Sequence, residues 1–295
     1  MRVFDRRAMA FSIESTTLRM LIFSGKEIES WYSVPLGAGM VREGLVAQAE
    51  AVGGVMAEAI QENRIPSRGV VCAVPSTGSA NQVLNLPGVK KGNVKEIVRR
   101  EIKRTMPGAE DVDFVYWQPM PDHGRASQQV YTLAVPRSTI QNMVDACRSG
   151  GVSMRGIELK PFALARAVNC KSGVIVHGEL DTIEVVVVEK EFPGLFRSIP
   201  VKDTTPSVEL ASQNLLRELP FTIDYYNRSN QDAQLDPDAA VYFSGELALD
   251  PNVSEEIEQV TGREVVSPEA PVECPPNFPL AQFLTSVGLM LRQNW

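Results

Sequence analysis

Apolar and polar positions near the N-terminus alternate in a way that predicts a three-stranded meander. Residues 10–14 and 17–23 have the pattern of paired strands, and the segment KEIESWYSVP continues the alternation as a third strand. The next segment, MVREGLVAQAEAVGGVMAEAIQENRI, carries apolar residues at helical spacing and ends before Pro66. The first part of the chain is therefore predicted to be a meander followed by a helix.

The same order of elements recurs in the second half of the chain. Strands are predicted in SGVIVHGELDTIEVVVVEK and FPGLFRSIPV, and a long helix in VELASQNLLRELPFTIDYYNRSN. The segment AAVYFSGEL then has the pattern of a strand that ends in a glycine turn, and FPLAQFLTSVGLMLRQ that of an amphipathic helix. This recurrence predicts two related halves of mixed α/β structure.

A further sheet is predicted to begin near residue 68, between the two halves. RGVVCAVPS and QVLNLPGV have the pattern of strands, and KKGNVKEIVRREIKRTMP that of a basic amphipathic helix. Two more strands, DVDFVYWQPM and SQQVYTLAVP, and the helix RSTIQNMVDACRSGG follow. SMRGIELKPFALARAV then carries a strand into another helix.

Length, composition and charge restrict the class of protein. With 295 residues, of which 44% are hydrophobic and 22% charged, the chain predicts two packed domains, or one domain split by insertions. A net charge of -7 disfavours a nucleic-acid partner. The basic helix between Lys90 and Arg104 is interrupted by Glu96 and Glu101 and carries no aromatic residue, which favours a solvated helix face over a lipid or RNA site.

Cysteine spacing and the lengths of the apolar runs indicate the compartment. The four cysteines lie far apart without a CxxC pair, which favours neither a disulfide framework nor a zinc site and fits a reducing cytoplasm. No segment approaches the roughly 20 apolar residues of a membrane-spanning helix, and the N-terminus lacks the apolar core of a signal peptide. We therefore expect a cytoplasmic protein that reaches a membrane only through a partner.

Motifs of common catalytic sites are missing from the sequence. The string GVKKGNVK lacks the ending of a P-loop, and neither a dinucleotide-binding glycine motif nor a serine nucleophile elbow occurs. His123 and His177 are both predicted to lie in turns and offer little for a histidine triad or a metal site. The stretch AFSIESTTLRML admits two interpretations, a turn that cradles an anion or an ordinary tight hairpin, and its residues alone favour neither.

Five segments, in order along most of the chain, resemble the PilM-like proteins of type IV pilus assembly, which belong to the actin-like ATPase superfamily and are relatives of FtsA. The segments are VVCAVPSTGSANQVLNLPGV, VKEIVRREIKRTMPGAEDVDFVYWQ, GVSMRGIELKPFALARAV, RELPFTIDYYNRS and LTSVGLMLR. The resemblance implies an α/β, actin-like (ribonuclease H-like) two-domain fold with an inserted subdomain. It implies a first domain of residues 1–67 and 137–168, an inserted subdomain of residues 68–136, and a second domain of residues 169–295 whose terminal helix can return to the first.

The resemblance identifies AFSIESTTLRML with the first phosphate loop of the family. Ser12 stands where the family has an aspartate that serves the magnesium-bound phosphates, and Glu14 stands where it has a glycine. A carboxylate at position 14 adds bulk and negative charge where a polyphosphate must approach the backbone. Only Ser15, Thr16 and Thr17 keep donors, so this loop is predicted to be degenerate.

The second phosphate loop of the family corresponds to VHGELDT. His177 replaces its aspartate and Glu179 its glycine, while Asp181 and Thr182 complete the loop. Glu179, Asp181 and Glu184 could hold a metal, but three carboxylates without the glycine are explained more simply as a polar hairpin turn. We therefore predict a second degenerate loop and no metal site.

The adenosine loop is altered in the same sense. Its usual glycine pair corresponds to Gly245 and Glu246, so the second glycine is lost. Three loops changed together favour a scaffold that has lost, or nearly lost, nucleotide binding. The predicted protein therefore has no catalytic residues and no cofactor beyond weakly bound ATP with magnesium.

The family resemblance also implies a function and a partner. PilM-like proteins lie at the inner face of the cytoplasmic membrane, in the assembly platform of a type IV pilus or related secretion system. They bind the cytoplasmic N-terminal peptide of a PilN-like single-span membrane protein, in a groove between the first domain and the inserted subdomain. Oligomers are possible.

Two alternative functions remain open. One is an active actin-like ATPase of the same machinery, and the other is an FtsA-like cell-division protein. FtsA-like chains carry an amphipathic membrane helix after a linker, whereas this sequence ends at Trp295 directly after the GLMLR helix, which favours the pilus scaffold.

Overall fold

Strands and helices follow the order that the apolar pattern predicts, except that two short strands, at residues 41–42 and 45–46, occupy the start of the segment predicted as the first helix. The computed structural model describes residues 7–87, 94–105, 114–119, 127–201, 207–231 and 234–292. Its strands are β1 (Ala8–Glu14), β2 (Thr17–Ser24), β3 (Glu27–Pro35), β4 (Val41–Arg42), β5 (Leu45–Val46), β6 (Arg68–Val74), β7 (Ala80–Pro87), β8 (Phe114–Pro119), β9 (Ser127–Val135), β10 (Ser153–Leu159), β11 (Ser172–Gly178), β12 (Thr182–Glu189), β13 (Phe192–Pro200), β14 (Val241–Gly245) and β15 (Val265–Val266). Its helices are α1 (Ala49–Asn63), α2 (Val94–Thr105), α3 (Arg137–Ser149), α4 (Lys160–Val168), α5 (Val208–Ser229), α6 (Pro251–Thr261) and α7 (Leu280–Met290).

Two five-stranded sheets share one topology, as the recurrence in the sequence predicts. The first sheet has the order β3-β2-β1-β6-β10 and the second the order β13-β12-β11-β14-β15. In the first, β1 is antiparallel to β2 and parallel to β6, and in the second β11 is antiparallel to β12 and parallel to β14. The two halves are therefore structural duplicates, each with a hairpin that begins on its central strand.

Helices cover the apolar faces of both sheets. Strand β12 contains the run Val185–Val188, which is buried on both faces, as expected for a strand between two layers. In the second half, Leu215 and Leu219 of α5 pack against this sheet. In the first half, Phe283 and Val287 of α7 pack on the first sheet, so the last helix of the second half covers the first.

Helices α4 and α7 lie between the two sheets. Helix α4 contacts β12 and β13 in one sheet and β6 and β10 in the other, while α7 contacts β1, β2, β6 and β14. They approach each other at Gly288, where an added Cβ would lie 1.9 Å from the carbonyl oxygen of Ala163. This close backbone contact holds the central strands of both sheets at a defined spacing.

The chain divides into two compact units. The larger comprises residues 1–77 and 142–295, and the smaller runs from Gly78 to Gln141. The smaller unit contains the antiparallel sheet β7-β9-β8 and helix α2, whose Val94, Val98 and Ile102 are buried. Its core is completed by residues of β7 and β9.

The smaller unit differs from the predicted inserted subdomain at its start. The prediction places residues 68–77 in the insertion, but β6 pairs with β1 and β10 in the first sheet. A strand that pairs on both sides is part of that sheet, so the insertion follows β6. The division of the larger unit into two domains, one of residues 1–67 and 137–168 and the other of residues 169–295, stays a prediction.

Two further sequence observations can be placed. His123 and part of the basic stretch from Lys90 lie outside the described residues. None of the helices in the described residues is long and apolar enough to cross a membrane.

Candidate functional site

The turns of the β1–β2 and β11–β12 hairpins, which were predicted as phosphate loops, contact each other directly. The Ser15 hydroxyl donates to Asp181 Oδ1 at 2.9 Å and accepts from the backbone N–H groups of Leu180 at 3.0 Å and Asp181 at 3.2 Å. Ser15 has a φ of 51°, in the left-handed region that a tight turn requires. The stretch forms a tight hairpin, and its serine binds the opposite hairpin.

The other predicted residues of the first loop have different surroundings. Ser12 and Glu14 are fully buried, whereas Thr16 is exposed and Thr17 half-buried. The Ser12 hydroxyl has no hydrogen-bond partner in the part of the chain that the structure describes. Thr16 contributes its carbonyl oxygen, which accepts from Leu36 N–H at 2.7 Å. The three hydroxyl groups predicted as donors of this loop therefore differ in environment: that of Ser15 is buried, that of Thr16 is exposed and that of Thr17 is half-buried.

Glu14 forms a buried ion pair with Lys160 at the start of α4. The Lys160 ammonium donates to Glu14 Oε2 at 2.5 Å and to the carbonyl oxygen of Ile13 at 2.8 Å. Burial opposes the charge on both groups, but their attraction prevails: it holds the pKa of Glu14 well below its usual range and raises the pKa of Lys160. The pair joins the end of β1 to the helix layer between the sheets.

Glu179 is bound by Arg19, which points inward from β2. The Arg19 guanidinium donates to both Glu179 oxygens, at 2.7 and 3.3 Å, and to Glu246 Oε2 at 3.0 Å. It also donates to the carbonyl oxygen of Gln282, whose amide donates to Glu246 Oε2 at 2.8 Å. Burial raises the pKa of Glu179, although the Arg19 charge acts to lower it. Burial acts to lower the pKa of Arg19, but the attraction of the carboxylates is stronger and raises it. This network links the first sheet to the β11–β12 turn and to the residue that follows β14.

His177 lies between the two buried glutamates. Its Nδ1 is 2.9 Å from the Ser244 hydroxyl, and its Nε2 is 3.6 Å from Glu14 Oε2 and 3.5 Å from Glu179 Oε1. The imidazole is 1% exposed. A residue predicted to lie in a turn is thus at the end of strand β11 and is buried between both halves of the unit.

Asp181, Thr182 and Glu184 continue the buried polar layer along β12. Asp181 Oδ2 accepts from Gly44 N–H at 3.0 Å, and Glu184 accepts from the Ser76 backbone at 2.8 Å and from the Ser76 hydroxyl at 2.5 Å. Burial raises the pKa of Glu184 despite these hydrogen bonds. Thr182 is buried beside Gly44.

Gly245 has a structural requirement for glycine. Its φ is +91°, and an added Cβ would lie 2.4 Å from the carbonyl oxygen of Gly178. The glycine at this position therefore permits β14 to pass close to β11. Glu246 follows it, and its N–H donates to Glu179 Oε1 at 3.2 Å.

Three of the eleven predicted loop residues, Glu14, Glu179 and Glu246, bind buried cations that the sequence interpretation missed. His177 lies between two of these carboxylates, and Ser15 binds Asp181, whereas Thr16 is exposed. The sequence contained one signal for each cation: Arg19 interrupts the apolar run TLRMLIF, and Lys160 follows a strand directly before Pro161. A long charged side chain inside a buried strand needs a partner in the core.

The expected role of Glu14 and Glu179 needs correction. The sequence interpretation gave Glu14 a negative charge that opposes a polyphosphate and treated Glu179 as the replacement of a glycine, but both carboxylates are bound to cations. The reason is that a buried carboxylate without a partner is too costly to persist. The backbone N–H groups of Gly44, Ser76, Leu180, Asp181 and Glu246, which could hold an anion, also bind protein oxygens instead.

Comparison with solved structures identifies proteins that have a similar fold. No family model matches the sequence, and no curated protein matches it. A chain of the PilM-PilN type IV pilus biogenesis complex matches with a TM-score of 0.76 at 19% identity, over 97% of this chain and 98% of that one. The cytoplasmic domain of EpsL, an inner membrane component of the type II secretion system of Vibrio cholerae, matches with a TM-score of 0.56 at 14% identity, over 98% and 97%.

A third solved structure bears on the fold class. A Bacteroides thetaiotaomicron protein with an actin-like ATPase fold matches with a TM-score of 0.52 at 9% identity, over 99% of this chain and 100% of that one. The predicted actin-like fold and the predicted resemblance to a PilM-type chain are therefore confirmed. At these identities the likeness establishes the architecture.

Proposed function

We propose that this chain, with its actin-like fold, is a non-catalytic scaffold in the assembly platform of a type IV pilus or a related secretion system. The likeness to a chain of the PilM-PilN complex over almost its full length is the observation that supports this most strongly. The likeness to the cytoplasmic domain of EpsL, an inner membrane component of a secretion system, supports the same setting at the cytoplasmic face of the membrane.

The occupied loops support a scaffold more than an ATPase. A nucleotide site in such a fold needs open backbone donors and space between the two hairpins. Here Ser15 binds the opposite hairpin and ion pairs fill the region behind it. A degenerate nucleotide site is therefore part of the proposal, and no catalytic residue is assigned.

The proposed partner is the N-terminal peptide of a PilN-like membrane protein. Capture of an extended peptide relies on backbone hydrogen bonds and shallow apolar contacts and needs no catalytic group. In the smaller unit, β7 pairs with β9 on one side and has no second strand partner among the described residues. Its Val83 is 42% exposed, so this edge offers both kinds of contact.

A titration tests the partner and the edge together. The cytoplasmic peptide of a single-span membrane protein encoded beside this chain is titrated calorimetrically into the full chain. We expect one-site binding that Val83→Asp weakens, because a charge on the edge strand opposes an apolar contact. Val260→Asp is the matched control, since Val260 is 43% exposed on α6 and lies in the larger unit.

The possible results separate the parts of the proposal. Absence of heat, together with absence of a complex in a pull-down, would contradict the proposed partner. Binding that both variants leave unchanged would support the partner and contradict the β7 edge. The ATPase and FtsA-like alternatives predict nucleotide turnover or filaments, which assays on the same preparation detect.

A further inference from the structure

His177 Nε2 is a buried ligand atom without a hydrogen-bond partner among the described residues. Its imidazole is 1% exposed, and the atom is aimed between Glu14 and Glu179 at 3.6 and 3.5 Å, too far for a good hydrogen bond to either. Glu14 Oε1 likewise has no partner in the described part of the chain. Three potential ligand atoms, one from each residue, lie within 4.8 Å of one another.

The surroundings of His177 favour the tautomer that leaves Nε2 with its lone pair. The Ser244 hydroxyl is 3.3 Å from the carbonyl oxygen of Val176 and can donate its proton there. It then accepts a hydrogen bond from His177 Nδ1–H at 2.9 Å. In the neutral imidazole, the Nε2 lone pair consequently faces two carboxylates, an arrangement that a cation between them stabilises.

The charges around the cluster also favour a cation. Five carboxylates, those of Glu14, Glu179, Asp181, Glu184 and Glu246, surround this region, while the cationic side chains that pair with them are Arg19 and Lys160. In their ionised forms the four buried carboxylates leave an excess of negative charge over the two cations in a region of low dielectric, while Glu246 is one-third exposed. A divalent cation offsets most of that excess.

We propose that Glu14, His177 and Glu179 form a binding site for a divalent transition metal, with zinc the best fit. Neutral imidazole and carboxylate are ligands that zinc accepts, and two donors on a tetrahedral zinc lie roughly 3.3–3.6 Å apart. The two distances from His177 Nε2 match this spacing. Magnesium fits less well, because it prefers oxygen donors and an octahedral arrangement.

The outer partners of the three residues are those that metal ligands commonly have. Ser244 orients the imidazole through Nδ1, and Arg19 holds Glu179. Lys160 binds Glu14 Oε2, the oxygen that lies 3.6 Å from His177 Nε2, while Glu14 Oε1 has no hydrogen-bond partner among the described residues. Glu14 is the last residue of β1, His177 lies in β11 and Glu179 directly follows β11. An ion bound by all three residues would therefore connect the two sheets of the larger unit. With three protein ligands that join the two sheets, the proposed site goes beyond the proposed scaffold function.

Metal analysis of the full chain tests the site. The protein is unfolded in urea with a chelator, refolded with Zn²⁺ or Mg²⁺, desalted and analysed for metal by mass spectrometry. We expect one-to-one zinc, no retained magnesium, and a higher melting temperature with zinc. Refolding with Co²⁺ is expected to produce the visible absorption of a tetrahedral ion without the near-ultraviolet band of a thiolate ligand.

Variants distinguish this site from zinc bound elsewhere. His177→Gln is expected to abolish zinc retention, and Ser244→Ala to weaken zinc affinity by about 10–100-fold, because the imidazole loses its orienting partner. Glu184→Gln, which removes a neighbouring buried carboxylate outside the ligand set, is expected to retain zinc. A Cys170→Ser, Cys274→Ser double variant removes the partly exposed thiols and is also expected to retain it.

Three results would each overturn the proposal. These are wild-type protein that retains no more zinc than the buffer blank, equal retention by wild type and His177→Gln, and loss of zinc in the cysteine double variant. If His177→Gln does not fold, the cobalt spectrum of the wild type decides, because octahedral or thiolate-type absorption contradicts an imidazole-carboxylate site.

Discussion

Glu14 and Lys160 show how one buried pair depends on both of its members. Each side chain is at most 2% exposed, so each ion has lost nearly all of its hydration. The attraction and the hydrogen bonds of the pair offset that cost, whereas one ion left alone retains it. Removal of one member is therefore expected to be more harmful than removal of both.

A double-mutant cycle tests this dependence. Lys160→Met is expected to lower the free energy of unfolding by about 3–5 kcal/mol, because it leaves the Glu14 carboxylate buried without its cation. Adding Glu14→Gln should restore part of the loss, with an interaction energy of about 0.5–3 kcal/mol. Urea denaturation measures both effects, and Lys171→Met, at an exposed lysine, is the matched control. Additive losses would show that the two side chains do not stabilise each other.

The lowered pKa of Glu14 predicts an acid dependence of stability. A carboxyl group whose folded pKa lies below its ordinary value of 4.5 stabilises the fold above that pH, and the contribution is lost as pH falls towards the folded pKa. The difference in unfolding free energy between wild type and Glu14→Gln should therefore be constant near neutral pH and shrink below pH 4.5. In the wild type, Lys160 stays protonated throughout this range because its pKa is raised, so it adds no slope there.

Urea denaturation of both proteins between about pH 6 and about pH 3 measures this difference. The raised pKa values of Glu179 and Glu184 have the opposite sign, since their contributions are present at low pH and lost as pH rises. The Glu14 charge is one cause of these raised pKa values, so Glu14→Gln reduces both shifts, and the comparison is drawn below pH 4.5, where Glu14 itself titrates. A difference that grows as pH falls would show that Glu14 is not the stabilised carboxylate.

At the scale of elements, helices α4 and α7 set the spacing between the sheets. Gly288 of α7 leaves no space for a side chain next to the Ala163 carbonyl group. Arg166 of α4 donates to the Gly288 carbonyl oxygen at 2.8 Å and to both oxygens of Glu158. The contact thus combines close backbone packing with a hydrogen bond that fixes the registry of the two helices.

Two glycine substitutions test this packing with opposite expected signs. Gly288→Ala is expected to destabilise the protein by about 3 kcal/mol or more, because a backbone carbonyl cannot move aside as a flexible side chain can. Gly54→Ala is the control, since Gly54 is exposed in α1 with nothing within 4 Å of an added Cβ. It is expected to stabilise the protein by about 0.5–1 kcal/mol through helix propensity. Equal melting temperatures for the two variants would contradict the close α4–α7 contact.

At the scale of the whole molecule, the duplicated halves of the larger unit bring two hairpins together. In each sheet the hairpin begins on the central strand, so both turns meet at the same place. An open junction of this kind can enclose phosphates between backbone donors. In this chain, protein side chains take those donors, and the sheets are joined by hydrogen bonds and ion pairs.

Nucleotide titration tests whether this junction is closed. We expect the wild-type chain to show no saturable binding of fluorescent ATP with magnesium and no turnover, because both space and donors are occupied. A variant with Ser12→Asp, Glu14→Gly, His177→Asp and Glu179→Gly removes the occupying side chains and leaves Arg19 and Lys160 free to attract phosphate. Binding by the variant alone would assign the loss to these four positions. Micromolar binding with turnover by the wild type would support the ATPase alternative.

The sequence was sufficient to predict the elements, the duplication and the altered loops. Apolar periodicity is a local property of the chain, so the order of β1–β3 and β11–β13 could be derived from short segments. The departures from the family pattern at Ser12, Glu14, His177 and Glu179 could also be read from the sequence, because a family pattern is compared with the chain one position at a time. Strand β6 was assigned from the sequence to the inserted subdomain because the residues of a short buried strand do not indicate which sheet the strand joins.

Only the tertiary structure decided how the altered loops are used. Arg19 meets Glu179 across 160 residues of sequence, and Lys160 meets Glu14 across 146. Ion pairs of this kind depend on where two sheets and the helices between them bring side chains together, and the residue types along the chain do not specify which charges become partners. For the same reason, His177 was expected in a turn, but the fold places it between two buried carboxylates, because burial depends on the complete packing of both halves.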